Sequence, residues 1–314
     1  MADKKRIGII GARGFVGGEL LKLIATHPDL ELAYASSRQQ AGTAIDDFDG
    51  AVFENLTPEE AAARAADLVF LALPNGVAAP WVDVIVKAAP NTRFIDMSAD
   101  YRFDEAWAYG LPELNRGAIR GAARIANPGC YATAAQIAIA PMVSRLSAPP
   151  AVFGVSGYSG AGTTPSPKND PKMLENNLMP YGLSGHMHER EIGHQLGTPV
   201  HFMPHVAAFF RGLSVTVNLC FETPVTAEEV RMLYAQAYAD EAFITVTNEA
   251  PQVRDIANTF GARLGGFVLG DDGRRAVMVC VLDNLLKGAA SQAIQNLNLS
   301  FGFAENEGLR GDVA

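Results

Sequence analysis

A cysteine directly after a Pro-Gly pair is the residue of this chain best suited to nucleophilic chemistry. Cys130 follows Pro128-Gly129 and precedes a run of small and apolar residues, 131–138, that predicts a helix. The thiol is therefore expected at, or one residue outside, a helix N-terminus, where unpaired N–H groups and the macrodipole stabilise a thiolate. Taken alone, the segment is as compatible with a buried structural cysteine as with a nucleophile.

A glycine turn near the start of the chain predicts a phosphate-binding site. An apolar strand over 6–10 is followed by glycines with the spacing G-x-x-G-x-x-G and then by a helical pattern. Backbone N–H groups of such a turn, at a helix N-terminus, can cradle a pyrophosphate. A plain tight turn between strand and helix is the alternative. We assign to a dinucleotide cofactor the residues Gly11, Arg13, Gly14, Phe15, Val16 and Gly17.

The end of the second predicted strand, 30–35, indicates which dinucleotide is preferred. The cofactor ribose is expected about 20 residues past the glycines, where NAD sites place an acid. This chain has Ser36, Ser37 and Arg38 there instead. An arginine can pair with a 2′-phosphate and the serines can donate to it, so the segment predicts NADP(H). A solvated surface arginine is the alternative.

Two further predicted strands end at residues that could bind ligands. Strongly apolar strands over 67–73 and 93–97, each preceded by a predicted helix (58–66 and 77–89), favour a parallel sheet covered on both faces. Ligands gather at the carboxyl ends of such strands. We assign Pro74 to the cofactor site, and Ser98 with Arg102 to an anion site. Arg102 could equally form a salt bridge with a neighbouring Asp, either Asp100 or Asp104.

The second half of the chain has a different pattern. A strand over 151–155 is followed by a long loop rich in glycine and hydroxyl residues, 156–167, and later by a helix over 185–194. Residues 109–114 are predicted to be a loop. An open sheet with two more helices is predicted from strands over 213–219, 243–247, 263–269 and 275–282, a hairpin turn at 271–274, and helices near 226–239 and 283–298.

Histidines supply the candidate acid and base. Five of the six lie within 186–205, although a single histidine is more often structural. His186 and His188, at i and i+2, are expected on different faces of a helix. That geometry argues against a zinc site, and neither a His-Glu-x-x-His motif nor a Cys-x-x-Cys pair is present. We therefore expect no metal.

Composition limits the classes of function. The 314 residues suggest about two domains. The net charge of −9 and the lack of a Lys/Arg run argue against nucleic acid or an anionic membrane as partner. No apolar run approaches the roughly 20 residues of a membrane span. Three cysteines fit a reducing compartment, so a cytoplasmic protein is expected. Only 19% of residues are charged, which suggests a subunit interface.

Seven motifs follow one another along the chain: the glycine turn, Ala72–Gly76, Ser98–Arg102, Tyr109–Leu114, Asn127–Thr133, Ser156–Gly162 and Leu282–Ala290. In this order they resemble those of the N-acetyl-gamma-glutamyl-phosphate reductases, NADPH-dependent enzymes of arginine biosynthesis. The resemblance covers nearly the whole chain, and its most specific part is the Pro-Gly-Cys-Tyr-Ala-Thr segment. Aspartate-semialdehyde dehydrogenases, which are related, have Asn-Cys where this chain has Gly129-Cys130.

The resemblance implies a fold and a set of site residues. The fold class is α/β: a Rossmann-type dinucleotide-binding domain (1–130 with 285–314) and an α/β catalytic and oligomerisation domain (131–284) with an open mixed sheet, assembled as a dimer or tetramer. The nucleophile maps onto Cys130 and the catalytic histidine onto His188. Further assignments are Ser159, Gly160 and Asn284 to the cofactor, and Asn127, Glu191 and Arg211 to the substrate. Thr163 and Ala257 depart from the family's residues, in the region expected to hold substrate.

The implied reaction is the reduction of a small acyl phosphate by NADPH through a cysteine thioester. A related acyl phosphate, aminoadipyl or aspartyl, is an alternative substrate. Two other classes of function use fewer of the motifs. A non-catalytic NADP-binding regulator would not need Cys130 and His188, whereas a cysteine hydrolase would not need the glycine turn and Arg38.

Overall fold

The computed structural model describes residues 4–309, and their contacts group the chain into two compact units. Of the described residues, unit 1 comprises 4–128 and 289–309, whereas unit 2 comprises Gly129–Gly288. Each unit is built on one sheet, so the predicted α/β class is confirmed. Among the described residues, no helix has the length and apolar character needed to cross a membrane.

The sheet of unit 1 is parallel throughout. Its strand order is β2-β1-β3-β4-β6-β5. All four residues of β3 are buried, because helices cover both faces of such a sheet. The strands are β1 (Lys5–Ile10), β2 (Leu30–Ser36), β3 (Leu68–Leu71), β4 (Arg93–Asp96), β5 (Ala108–Tyr109) and β6 (Arg124–Ala126).

Helices of unit 1 begin at recognisable signals. Thr57 and Glu60 form a reciprocal capping box at the second helix. This helix is shorter than predicted, and Ala65 beyond it has a positive φ of 48°. The predicted loop over 109–114 is wrong: Tyr109 pairs in β5, and Pro112 starts a helix as a first-turn proline. The helices are α1 (Phe15–Thr26), α2 (Pro58–Ala62), α3 (Ala79–Ala88) and α4 (Pro112–Ile119).

Unit 2 contains a mixed seven-stranded sheet, in agreement with the predicted open mixed sheet. Its strand order is β11-β12-β13-β10-β7-β9-β8. Its alternating strands bury one face against helices. Neither β8 nor β9 is predicted above; Pro204 lies inside β9 and makes the run look unlike a strand. The strands are β7 (Ala151–Gly157), β8 (Leu178–Pro180), β9 (His201–Ala207), β10 (Leu213–Cys220), β11 (Ile244–Val246), β12 (Ala262–Leu269) and β13 (Arg275–Leu282).

Four α-helices follow in unit 2. The first of them, α5, is buried from its second residue to its last and lies in the middle of the core. The long predicted loop over 156–167 contains a short 3₁₀ segment at Tyr158–Ala161, and another begins at its end, Pro167–Asn169. The helices are α5 (Cys130–Ile139), α6 (Pro171–Leu174), α7 (Met187–Leu196) and α8 (Ala227–Ala237).

The last helix begins later than predicted. It is α9 (Ala290–Phe301), whereas the prediction placed it at 283–298. Asp283 explains the difference, because its carboxylate accepts the N–H groups of Leu285 and Leu286 and fixes a turn there. Residues 290–300 of α9 are buried on every side. Asn296 on this helix is hydrogen-bonded within unit 1, where its side-chain amide donates to Gly110 O at 2.8 Å.

Candidate active site

Cys130 is the first residue of α5. Gly129 is the N-cap, in an extended conformation (φ −73°, ψ 150°), and its carbonyl accepts the N–H of Thr133 at 2.8 Å. The cysteine is half-buried, and the first turn of α5 carries no acidic residue. The N–H groups of this turn and the helix dipole therefore favour the thiolate, as the position in sequence predicts.

A buried carboxylate anchors the start of the cysteine helix. Glu191, on α7, is fully buried, and its Oε1 accepts the backbone N–H of Gly129 at 2.9 Å. This bond satisfies the N-cap N–H and fixes where α5 begins. Substrate binding by Glu191 stays a prediction, but the observed contact is with the helix that carries Cys130.

His188 lies in the first turn of α7, close to the cysteine helix. Its ring centroid is 5.7 Å from that of Tyr131, the residue after Cys130. The rings of His186 and His188 are 5.0 Å apart, and both pack against Phe202. The expectation that the two histidines face different sides of a helix is wrong, because His186 is the N-cap and lies outside the helix.

Gly288 is a neighbour of the cysteine that sequence reasoning missed. A Cβ atom added there would lie 2.7 Å from the Cβ of Cys130 and 2.8 Å from the Asn284 backbone. Such distances exclude any side chain at this position. Gly288 belongs to the Leu282–Ala290 motif. A glycine is needed there because the backbone passes close to the side chain of Cys130.

Three residues assigned to the cofactor lie together in unit 2. The Asn284 amide donates from Nδ2 to Ser159 Oγ at 2.9 Å, and its Oδ1 accepts the N–H of Gly212 at 2.7 Å. Gly160 is exposed beside them, and a Cβ there would lie 3.7 Å from Asn284 Nδ2. Asn284 and Ser159 are buried. The side chain of Asn284 therefore holds the Ser159–Gly160 turn, and contact with cofactor stays a prediction.

Arg211 belongs to an ionic network. Its Nε lies 2.9 Å from Asp283 Oδ2, and its guanidinium donates to Asn258 Oδ1 at 2.6 Å. Asp283 also accepts the N–H of Asn258 at 2.7 Å. Burial raises the pKa of Asp283, and the Asn258 N–H and Arg211 oppose that shift. The network holds the Arg211 side chain in one orientation, which suits a cation that binds a carboxylate.

The glycine turn of unit 1 is built as the motif requires. Gly11 has φ +84°, and a Cβ there would lie 2.3 Å from Ala72 O. At Gly17 a Cβ would lie 2.5 Å from Ala12 O. Gly14 differs, because the nearest atom to its Cβ would be 3.8 Å away. The interior of unit 1 thus needs the outer two glycines, while the middle one leaves open space at the N-terminus of α1.

That open space fits a phosphate. Gly14 is the N-cap of α1, and within the described chain the cap receives no side-chain hydrogen bond and the first turn has no acidic residue. Phe15 and Val16 are the first two residues of the helix, and Arg13 is exposed beside them. N–H groups at such a terminus bind anions. The residues present therefore fit the pyrophosphate of a dinucleotide.

Arg38 is exposed in the turn after β2, where a ribose phosphate is predicted. Ser36 and Ser37 are buried; Ser36 Oγ accepts the N–H of Leu56 at 3.4 Å, and Ser37 Oγ that of Gln40 at 3.3 Å. Ser36 also ties strand to turn, because its carbonyl accepts the N–H groups of Gly11 and Ala12. Arg38 is thus the residue of this group best placed to meet a 2′-phosphate.

The carboxyl ends of β3 and β4 are tied together. Pro74 is exposed, and the Asn75 side chain after it accepts the N–H of Ala99 at 3.0 Å. Asp100 accepts the N–H groups of Gly76 and Ala78 at 2.6 and 3.2 Å. These bonds order the loop that the sequence assigns to the cofactor.

The predicted anion site at Ser98 and Arg102 has internal partners. Ser98 Oγ donates to the buried carboxyl of Asp96 at 2.8 Å, and burial raises the pKa of that carboxyl. Arg102 is 8% exposed and donates to Asn127 O at 3.0 Å. The Asn127 side chain in turn bonds Ala289 O and Asn296. Arg102 and Asn127 thus hold unit 1 together, and their substrate contacts stay predictions.

Metal coordination has no support in residues 4–309, where no group of three His, Cys, Asp or Glu side chains could hold an ion. Among these described residues, Cys130, Cys220 and Cys280 form no disulfide bond.

Comparison with known proteins gives consistent results over both units. Residues 6–122 match the family model of the semialdehyde dehydrogenase NAD binding domain, and residues 130–284 match that of the semialdehyde dehydrogenase dimerisation domain. N-acetyl-gamma-glutamyl-phosphate reductase of Xanthomonas euvesicatoria is 56% identical over 98% of this chain and 99% of its own. The reductase of the same name from Xylella fastidiosa is 51% identical over 95% of this chain and 93% of its own.

Solved structures agree on the fold. Aspartate semialdehyde dehydrogenase II of Vibrio cholerae has a TM-score of 0.77 at 19% identity, covering 96% of this chain and 99% of its own. The aspartate semialdehyde dehydrogenase of Candida albicans, solved with NADP, has a TM-score of 0.75 at 18% identity, covering 97% of this chain and 99% of its own.

Proposed function

Because this chain belongs to the N-acetyl-gamma-glutamyl-phosphate reductase family, we propose that it reduces N-acetyl-gamma-glutamyl phosphate to the semialdehyde and phosphate. Unit 1 would bind NADP(H), and unit 2 would carry the catalytic residues. The observation that most supports this function is the position of Cys130 at the start of α5, a helix whose N-cap N–H, that of Gly129, donates to the buried Glu191. The reaction needs such a nucleophile, and a non-catalytic regulator does not.

Cys130 opens the reaction. Its thiolate attacks the acyl carbon, the carbon–sulfur bond forms, and the bond to the phosphate oxygen breaks, leaving a thioester and free phosphate. N–H groups of the first turn of α5 would stabilise the developing oxyanion. Arg102 at the carboxyl end of β4, and Arg211 with its fixed guanidinium, are the cations proposed to bind the substrate's phosphate and carboxylate.

His188 is the proposed general acid and base. NADPH, when bound, supplies the hydride that reduces the thioester. His188, protonated, then gives its proton to the oxygen of the thiohemiacetal held on Cys130. As the carbon–sulfur bond breaks, His188 takes back that proton, the aldehyde leaves, and the thiolate is restored. Positioned acid–base catalysis of this kind contributes about 10²–10⁴-fold to a rate.

Three cofactor roles follow for unit 1. The glycine turn would bind the pyrophosphate, Arg38 with Ser36 and Ser37 would bind the 2′-phosphate, and Pro74 would contact the cofactor. We also propose a cytoplasmic homo-oligomer. Its assembly would use unit 2, which matches the dimerisation domain.

Direct assay tests the function. Purified protein is mixed with NADPH and, in separate reactions, with N-acetyl-gamma-glutamyl, aminoadipyl or aspartyl phosphate, and the loss of NADPH absorbance is followed. Turnover should be fastest with the first compound and absent in Cys130→Ser, although that variant still binds NADPH. Preference for another acyl phosphate would replace the substrate. Cofactor binding with no turnover on any of them would favour a regulator.

A further inference from the structure

Helix α7, which carries His188, is capped at its N-terminus by a histidine. His186 has an extended backbone (φ −61°, ψ 145°), and its Nδ1 accepts the backbone N–H of His188 at 3.1 Å. Ser, Thr, Asp and Asn are the usual capping residues, and none of them loses its acceptor near neutral pH. An imidazole nitrogen does lose it, because the protonated ring donates from both nitrogens.

The capping ring is fixed by its neighbours. Its centroid lies 5.0 Å from His188, 5.3 Å from Phe202 and 5.5 Å from Tyr181. A Cβ added to Gly182 would come within 2.9 Å of the His186 Cδ2 atom, so the chain also passes close on that side. The packing therefore holds Nδ1 toward the helix, and the ring cannot easily turn away to find another partner.

We infer, on the basis of the function proposed above, that His186 is a positioning residue: a titratable helix cap that holds His188 in place only while its own ring is neutral. His188, which acts on substrate, and His186, which positions it, would then both titrate. His188 acts through its own ring, whereas His186 acts by accepting the backbone N–H of His188.

The charged and titratable groups around His186 favour the neutral ring. Burial and then Lys168 lower the pKa of His186, and Glu189 opposes them. Glu189 accepts the N–H groups of Gly185 and Phe202, while Lys168 Nζ lies 4.8 Å from the Tyr181 ring centroid. His188 and Tyr181 are the other titratable neighbours.

The lowered pKa fixes the direction of the effect. Since the pKa of His186 is lower in the folded protein than in the unfolded chain, the unfolded chain binds more protons between the two values. The stability that the neutral cap contributes is therefore complete at and above neutral pH and declines as the pH falls toward the folded-state pKa of His186. Below that pKa the ring is protonated and the cap is lost.

The reverse reaction, oxidation of the aldehyde, should show the effect of the cap most clearly in its dependence on pH. There, His188 must be neutral to take the proton from the thiohemiacetal hydroxyl. If His186 must also be neutral for full activity, its protonation lowers kcat in addition to the protonation of His188. The plot of log kcat against pH in wild type should then be steeper than a slope of one over the range in which His186 takes up its proton.

Two variants separate the cap from the ring. His186→Asn keeps an acceptor that does not titrate in this range, so it should retain most of kcat above neutral pH and give an acid slope of one. His186→Ala removes the acceptor and should lower kcat at every pH, by roughly 2- to 30-fold, the factor that corresponds to a lost helix cap. Equal slopes in wild type and His186→Asn, or an Asn variant as slow as the Ala variant, would overturn the inference.

A second measurement does not depend on turnover. In protein labelled at the histidine rings, the ring signals of His188 are followed by NMR as pH is lowered. They should show two titration steps in wild type and one in His186→Asn. If wild type oxidised no aldehyde, the proposed function would fail, yet this titration would still decide on the cap. A single step in both proteins would reject it.

Discussion

At the scale of single residues, the three cysteines differ in a way that can be measured. Cys130 begins α5 and is half-buried, Cys220 is half-buried in β10, and Cys280 is fully buried in β13. Only the first has a helix N-terminus to stabilise its thiolate, and the thiolate is the reactive form. Iodoacetamide should therefore label Cys130 far faster than the other two.

Peptide mapping by mass spectrometry at successive times checks this order. Cys130→Ser serves as control, because the fast phase should vanish while slow labelling of Cys220 persists. Equal rates at all three cysteines of the folded protein would contradict the assignment of the nucleophile.

His188→Asn tests the proposed acid–base residue. The variant removes an imidazole that packs 5.7 Å from the Tyr131 ring, and it leaves the backbone N–H that His186 caps. We expect kcat to fall by about 10²–10⁴-fold, with the Kd for NADPH unchanged. Steady-state kinetics, NADPH titration and a thermal melt give the three quantities. A modest loss, matched by a lower Tm, would mean that the residue only orders the loop.

Arg38→Ala tests the choice of cofactor. A charge-assisted contact with the 2′-phosphate is worth about 1.5–3 kcal/mol, or roughly tenfold to a hundredfold in affinity. The KM for NADPH should rise by that factor while kcat stays nearly constant. NADH is the internal control, since it lacks the 2′-phosphate and its KM should not change. Wild type that used NADH as well as NADPH would contradict the assignment.

At the scale of elements, the four glycines of the β1–α1 turn and the first turn of α1 should respond differently to substitution by alanine. Gly11→Ala puts a Cβ 2.3 Å from Ala72 O on a residue with φ +84°, and at Gly17 the Cβ would meet Ala12 O, so both should destabilise the fold. Gly18→Ala meets nothing within 4 Å inside α1 and should stabilise by about 0.5–1 kcal/mol. Gly14→Ala fits the folded chain, yet it fills the space proposed for a pyrophosphate.

The glycine at position 14 therefore decides the role of the turn. Gly14→Ala should lose NADPH affinity without a loss of Tm, whereas the matched control Gly18→Ala should keep the wild-type affinity and raise the Tm slightly. Thermal melts and fluorescence titration with NADPH provide the comparison. Unchanged affinity in Gly14→Ala would leave only a plain tight turn.

Elements whose signals are local were predictable from sequence. The four-residue apolar strand β3, the glycine turn before α1 and the Gly-Cys start of α5 each depend on residues adjacent in the chain. Buried parallel strands are continuously apolar, and glycines at fixed spacing have backbone reasons that any single sequence displays. The site residues assigned from these motifs remain predictions.

Contacts between distant segments were not predictable. Glu191 reaches Gly129 across 62 positions, and no pattern within α7 indicates that bond. The start of α9 was placed at 283, whereas the Asp283 side chain fixes a turn there and the helix begins at Ala290. The two histidines were assigned to separate faces by a rule that applies inside helices, whereas His186 precedes one.

At the scale of the whole molecule, the two faces of the seven-stranded sheet differ in burial. The face toward α5 and α8 is buried, with Met278 and Cys280 of β13 among its residues. Along the same strand, Val277 and Val279 point to the other side and are half-buried, and Phe153 of β7 is 39% exposed. The neighbouring strand β10 adds the half-buried Thr216 and Asn218 to this side, opposite Val279 and Val277. A mixture of apolar and polar residues of this kind is compatible with a protein–protein interface. We expect it to be where a second copy docks.

Val279→Lys tests that interface. A lysine at this position would be brought out of water at the centre of the contact, and a desolvated unpaired charge costs several kcal/mol. The dimer should dissociate at least about a hundredfold more readily, as measured by sedimentation velocity over a range of concentrations. Met232→Lys is the matched control: it puts the same charge on α8, where the methionine is already 64% exposed, and should leave the assembly unchanged. Circular dichroism must show both variants folded. A folded Val279→Lys protein that stays a dimer would place the interface elsewhere.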